Sequence, residues 1–452
     1  MLICPCDCLK MIGGARRVRG TCERRGLFVD LKAMLNADAI REGNRGRVVG
    51  GSAAALAALL AVLLLVVTSC GGTGDSAAST QDGKDGKEQK KEVPKGPSEA
   101  IVKIAPKNGA DDVATTGALK VTAAQGKLTK VTVKDDDGTR IPGKIVKKGA
   151  AWKPERHLMT KTEYSVHAVA EDAEGRTSAE HTSFTTIVPA DTFIGYYTPD
   201  DGDKVGVGMP VSVRFNRPIA DRESVEKALS VKADPGVKIE GHWFGNNRLD
   251  FRPEKYWKAG TKVTLNLHLD GVEGANGVYG TQHKTVKFTI GRAQVSVVDA
   301  KKKTMTVLRD GKKIKQVPIS AGAPATSTYN GKMVISEKHE VTRMNGDTVG
   351  FGGEYDIEDV PHAMRLSTSG TFIHGNYWAG KATFGSANTS HGCIGLFDAR
   401  GGGDKSTPAA WFYDNSLVGD IVEVKNSKDE TIQPDNGFSG WNMDWEDWTA
   451  AP

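Results

Sequence analysis

The segment Thr371–Phe397, TFIHGNYWAGKATFGSANTSHGCIGLF, gathers groups that could perform acyl chemistry. His374 and Ser390 have fifteen residues between them, and Ser390-His391-Gly392-Cys393 follows. A cysteine nucleophile needs a base to take the proton from a thiol whose ordinary pKa is about 8.5. It also needs backbone N–H groups aimed at a developing oxyanion. A tight turn must project the sulfur into a cleft. Gly392 before Cys393 and Gly395 after it permit close approach and unusual backbone angles. His374 closes the apolar run Thr371-Phe372-Ile373, which reads as a strand able to hold a base rigidly. A single cysteine can also be an inert buried hydrophobe. A zinc site from His362, His374, His391 and Cys393 is the weaker reading, because His391 and Cys393 are only two apart and no C-x2-C partner exists. No metal or other cofactor is therefore expected.

The context of that thiol sharpens the question. Val48 to Ser69 carries no charged side chain, is dense in Ala, Leu and Val, and follows Arg41, Arg45 and Arg47. A basic flank before an apolar run is the pattern of an export signal. It ends in Val67-Thr68-Ser69-Cys70-Gly71-Gly72, which resembles a bacterial lipobox in which Cys70 is lipidated and becomes the new N-terminus. A plain transmembrane anchor is the alternative. Cys4, Cys6, Cys8 and Cys22 precede this signal and read as an over-extended start. Removing residues 1–69 leaves Cys70 and Cys393, so an exported chain would have no disulfide framework, and Cys393 invites a chemical explanation.

The elements that must position these groups are β-rich. A length of 452 implies about three domains. Taking the ten Lys/Arg and five Asp/Glu of residues 1–69 from totals of 60 and 55 leaves 50 of each. The exported part is neutral, which argues against a nucleic-acid partner. Residues 70–99 have almost no large apolar side chains and read as a lipidated flexible linker. From 100 to 291 short alternating segments sit between turn signals. Trp152-Lys-Pro154-Glu155 and Thr162-Glu-Tyr164 recur 99 residues later as Phe251-Arg-Pro253-Glu254 and Thr261-Lys-Val263. This repeat predicts two immunoglobulin-like sandwiches, 100–190 and 191–291, read here as spacers. A short helix is expected over Arg222–Leu229. Residues 292–425 form a β-rich domain with a hairpin at Asp310-Gly311 and a helical turn over Ala409–Tyr413. Trp441, Trp445 and Trp448 recur at one helix face within a C-terminal extension, 426–452.

The histidine, the spacing and the SHGC tetrad resemble the signature of the L,D-transpeptidases, the YkuD-type catalytic domain. Tyr355, Ser369-Gly370, Trp411-Phe412-Tyr413-Asp414, Gly419-Asp420-Ile421-Val422 and Trp441-Asn442-x-x-Trp445 fall in family order around it. With the lipobox and two preceding sandwiches, the architecture looks like that of actinobacterial enzymes that make 3→3 cross-links in peptidoglycan. The implied fold is mainly β, with two tandem sandwiches, a YkuD-type domain and a Trp-rich extension packing on the catalytic domain.

The resemblance implies Cys393 as nucleophile and His374 as general base and later acid. It implies that the Gly375 carbonyl orients the imidazole, and that the backbone N–H groups near Gly392 and Cys393 form the oxyanion hole with Tyr355 nearby. Ser369 and Gly370 match a strand that contacts the donor peptide, and His391 matches the residue supporting the turn. One position departs from the pattern: the family usually has Asn two residues after the cysteine, where this chain has Gly395. The implied partners are peptidoglycan stem peptides, a membrane reached through the lipid on Cys70, and carbapenem-type inhibitors. The implied location is the outer face of the cell membrane, within the wall. A non-catalytic wall-scaffolding lipoprotein, and an L,D-carboxypeptidase using water as acceptor, are the competing readings.

Overall fold

The computed structural model describes residues 96–350 and 352–450. The expected signal, Cys70, the N-terminal cysteines and nearly all of the linker lie outside the described residues. No helix among the described residues is long and apolar enough to cross a membrane.

Strand periodicity builds both sandwiches. Along Glu163–Glu171 the residues Tyr164, Val166, Ala168 and Ala170 are buried and their neighbours lie nearer solvent. They meet Trp152, Leu158 and Phe184 in the first core. The first sandwich pairs one sheet of Ile101–Ala105, Lys120–Ala124, Ala151–Pro154 and Gly143–Val146 with a second of Ala110–Val113, Thr177–Thr186, Glu163–Glu171 and Lys127–Asp135. The repeat places Phe251 and Val263 on the corresponding strands of the second sandwich, Arg248–Pro253 and Lys262–His268, and both are buried. The short helix there runs Arg222–Lys227, capped by the Asp221 side chain accepting the Ser224 N–H at 3.0 Å.

The third body packs a five-stranded sheet against a four-stranded one. The first orders Lys312–Pro318, Thr304–Arg309, Gln294–Asp299, Ile421–Lys425 and Gly331–Val334. The second orders Glu337–Asn345, Asp356–Arg365, Phe372–Asn376 and Ile394–Phe397. Met305, Val307, Met364, Ile373, Ile394, Leu396 and Val422 share the core between them with Phe412 of the helix Pro408–Asp414. The last two strands of the four-stranded sheet run parallel.

The second sandwich packs directly against the catalytic body. Gly206 and Gly208 donate to the carbonyls of Val418 and Gly419 at 2.7 and 2.9 Å. Val334, Ile421 and Trp441 lie in the same core cluster as Leu249 and Phe251 of the sandwich.

The C-terminal extension also differs from expectation. Its tryptophans do not share one helix, because extended backbone at Met443 and Asp444 separates a single turn, Gly440–Asn442, from the helix Trp445–Thr449. Its first half stays on the catalytic body, where the Ile432 N–H donates to Asn330 O at 2.9 Å, and Asn442 Oδ1 accepts the Lys332 N–H there at 2.8 Å. The tryptophans then cross to the second sandwich. Trp441 Nε1 donates to Gly208 O at 2.7 Å and Trp448 Nε1 to Glu240 O at 3.0 Å. The Arg252 guanidinium lies 4.8 Å from the Trp441 ring and 4.2 Å from the Trp448 ring.

Candidate active site

Alternation along two parallel strands assembles the site. In Phe372–Asn376, Ile373 points into the core, so His374 takes the opposite face. The register pairs Ile373 with Ile394 and His374 with Gly395. Cys393, two residues before Gly395, therefore projects on the face that carries His374, diagonally across from it. Both side chains line one cavity of about 450 Å³, together with Tyr355, Arg365, Gly370 and Trp378.

The imidazole is fixed in one tautomer. Its Nδ1 lies 2.9 Å from the Gly375 carbonyl, which can only accept, so Nδ1 carries the proton and Nε2 keeps its lone pair. His374 is buried, and burial pushes its pKa below the ordinary value, with the Gly375 carbonyl and Asp398 opposing. The ring stacks on Trp378 at 5.6 Å, and Trp378 is itself 45% exposed, so the indole stands between the base and solvent. Behind the strand, Asp398 accepts from His362 Nδ1 at 2.7 Å and from Thr407 Oγ1 at 2.8 Å. Gly375 is required for this approach: a Cβ there would stand 2.0 Å from Asp398 Oδ2.

The surroundings of the thiol favour its neutral form. Burial raises its pKa to about 11, against a weaker opposing pull from Arg365. Its proton is directed to the Gly370 carbonyl, with Sγ 3.5 Å away. Both shifts favour the neutral forms of the thiol and the imidazole. The turn before it needs Gly392, whose φ is +113°. That turn curls back on Ser390, whose Oγ accepts the Gly392 N–H at 3.2 Å and donates to the Cys393 carbonyl at 2.5 Å. The Gly392 N–H, expected among the oxyanion donors, is therefore committed to the turn.

Tyr355 and His391 meet at the cavity mouth with ring centroids 5.0 Å apart, and His391 Nε2 lies 3.0 Å from Glu354 Oε2. His391 thus ties the 350–355 loop to the SHGC turn. Burial and the nearby Cys393 push the Tyr355 hydroxyl up to about 12, so it remains a donor through the neutral range. Ser369 and Gly370 do not sit on a strand. They belong to a turn closed by Leu366 N–H to Thr371 O at 2.8 Å. Gly370 lines the cavity. Ser369 turns away, its Oγ accepting from Asn436 Nδ2 at 2.8 Å, which ties it to the C-terminal extension. Gly395 lies opposite His374. No three His, Cys, Asp or Glu side chains among the described residues converge to hold a metal ion. His362 faces Asp398 and His391 faces Glu354, so they are not poised as ligands with Cys393.

Sequence reasoning missed Trp378, Asn376, Arg365 and Asp398. Trp378 carried a usable signal, an aromatic four residues past the base. Arg365 and Asp398 lie outside the motif and are brought in by strand pairing.

Comparison with known proteins places the chain among described sequences. Residues 293–424 match the profile of the L,D-transpeptidase catalytic domain, and residues 110–273 match a bacterial Ig domain. L,D-transpeptidase 2 of Mycobacterium tuberculosis is 34% identical over 347 residues, covering 76% of this chain and 83% of that protein. L,D-transpeptidase 5 of the same species is 28% identical over 76% of this chain and 75% of its own length. Among solved structures, an L,D-transpeptidase in complex with imipenem is 28% identical over 53% of this chain and all of that chain, with a TM-score of 0.43. By its similarity to the first of these relatives across most of both lengths, the chain belongs to the L,D-transpeptidase family.

Proposed function

We propose that the enzyme forms 3→3 peptidoglycan cross-links by ping-pong acyl transfer through a Cys393 thioester. A tetrapeptide stem presents the carbonyl of its third, diaminoacyl residue to Sγ. As the S–C bond forms, the thiol proton passes to His374 Nε2. The oxyanion takes hydrogen bonds from the Cys393 backbone N–H and the Tyr355 hydroxyl. Collapse breaks the peptide bond, and His374 returns its proton to the departing D-alanine amine. The side-chain amine of a neighbouring stem's third residue then attacks the thioester. His374 removes the amine's proton and hands it to the departing sulfur. A thioester reacts readily with amines, and the Trp378 wall limits competing water.

The observation that carries this reading is the register that sets His374 and Cys393 on one face within one cavity. The same attack opens a carbapenem: the ring C–N bond breaks and the drug stays on sulfur. Because both substrates are wall polymers, the domains belong outside the membrane. Lipidation of Cys70 would hold them there, with residues 71–99 as the tether.

Isolated wall incubated with the 100–452 protein, then digested, is expected to yield 3→3-linked dimers and free D-alanine. The Cys393→Ala variant should yield neither. Tripeptide monomers without dimers would make water the acceptor, and no change in the wall would favour the scaffolding reading.

A further inference from the structure

Asn376 is buried, at 6% exposed, yet it lines the catalytic cavity two residues beyond His374 on the same face of the same strand. Its Oδ1 accepts the Ala379 N–H at 3.0 Å. That bond fixes the amide plane and reserves Nδ2 as a donor. The neighbouring strand offers nothing to fill the adjacent space, because the residue diagonally across is Gly395. A Cβ on Gly395 would stand 3.5 Å from Asn376 Nδ2 and 3.6 Å from its Cβ, which is ordinary contact. Gly395 is not among the residues with positive φ. Neither backbone nor packing therefore demands glycine there. Its effect is to leave the Nδ2 edge uncovered, beside the base and within the cavity that holds the nucleophile.

We infer that Asn376 binds the donor stem, its Nδ2 donating to a backbone carbonyl adjacent to the one that Cys393 attacks. The partner is a peptide carbonyl because the reserved group is a neutral N–H donor and the donor stem is an extended peptide. This assignment rests on the transpeptidase reading and deepens it.

The test compares Asn376→Asp, Asn376→Ala, Gly395→Asn and the pairs of each Asn376 change with Gly395→Asn. Turnover of a tetrapeptide donor is read as kcat and KM, and alkylation of Cys393 by iodoacetamide as a control. Asn376→Asp keeps the acceptor for Ala379 N–H and loses the donor. Both Asn376 variants are expected to lose about three- to tenfold in kcat/KM, mainly through KM. Alkylation in the alanine variant should stay within about twofold of wild type, since iodoacetamide makes no such bond. Adding Gly395→Asn to Asn376→Ala should restore kcat/KM to within about twofold, because a carboxamide from 395 reaches the same space. A structural role would not be rescued in this way, since the Ala379 N–H stays unpaired. Unchanged kcat/KM in the Asn376 variants, or absence of rescue with alkylation intact, overturns the inference. A wild-type protein that alkylates but never turns over tetrapeptide overturns the transpeptidase reading, and this inference with it.

Discussion

Exchanging His374 for Gln is expected to slow acylation of Cys393 by roughly 10²–10⁴-fold, the usual worth of a positioned general base. The size follows from the resting protonation state. Burial raises the thiol pKa, so little thiolate forms at neutral pH without help. Nε2, held with its lone pair available by the Gly375 carbonyl, removes that penalty within the attack itself. The same geometry fixes the pH dependence. The base works as neutral imidazole, and burial pushes its pKa below 6.5. The acid limb of kcat/KM for the wild-type enzyme should therefore fall below pH 6.5. Trp378→Ala admits water to the ring, reduces the desolvation, and should move that limb upward toward 6.5. Stopped-flow acylation across pH 4.5–8.5 reads both effects. A Gln variant as fast as wild type, or a limb that moves downward in Trp378→Ala, would contradict the assignment.

Trp448→Ala should be strongly destabilising. The side chain is 1% exposed and packs with His242 and Phe244 at ring distances of 5.0 and 5.9 Å, with Arg252 above it and a hydrogen bond to Glu240 O. Buried aromatic-to-alanine changes cost about 3–5 kcal/mol. For a unit of this size that is a fall in melting temperature on the order of 10 °C. Because the extension joins the catalytic body to the second sandwich, both should melt together at the lower temperature. Truncation after Ser427 removes Trp441 as well and should cost more. Scanning calorimetry on the 100–452 protein measures this. An unchanged transition, or loss confined to the catalytic body, would show that the tryptophans do not secure the junction.

Much of this was legible in the residues because strand chemistry is local. Alternation along Glu163–Glu171 and Lys262–His268 marks two sandwiches without any disulfide. The Asp310-Gly311 turn, both residues at positive φ, sets a hairpin. The spacing of His374 and Cys393 marks the pair that parallel neighbouring strands bring to one face of one cavity. What stayed hidden depends on long-range placement. Trp441, Trp445 and Trp448 keep helical spacing, but their partners lie on strands Ile239–Phe244 and Arg248–Pro253, some 200 residues earlier, and docking there breaks the helix at Met443. Ser369 matched a family position, yet its direction is set by Asn436 of the extension. The raised thiol pKa follows from desolvation beside the Gly370 turn, and motif spacing does not encode desolvation. Asn376 acquires meaning only once the register places Gly395 diagonally across from it.

Intact-mass measurement after mixing the 100–452 protein with a tetrapeptide donor bears most directly on whether Cys393 holds the acyl group. Wild type should gain the mass of the donor less that of one D-alanine, as a hydroxylamine-labile adduct mapping to the peptide that contains Cys393. The Cys393→Ala variant should gain nothing. The account is contradicted by an adduct that persists in that variant, or by D-alanine release that continues at the wild-type rate without the thiol.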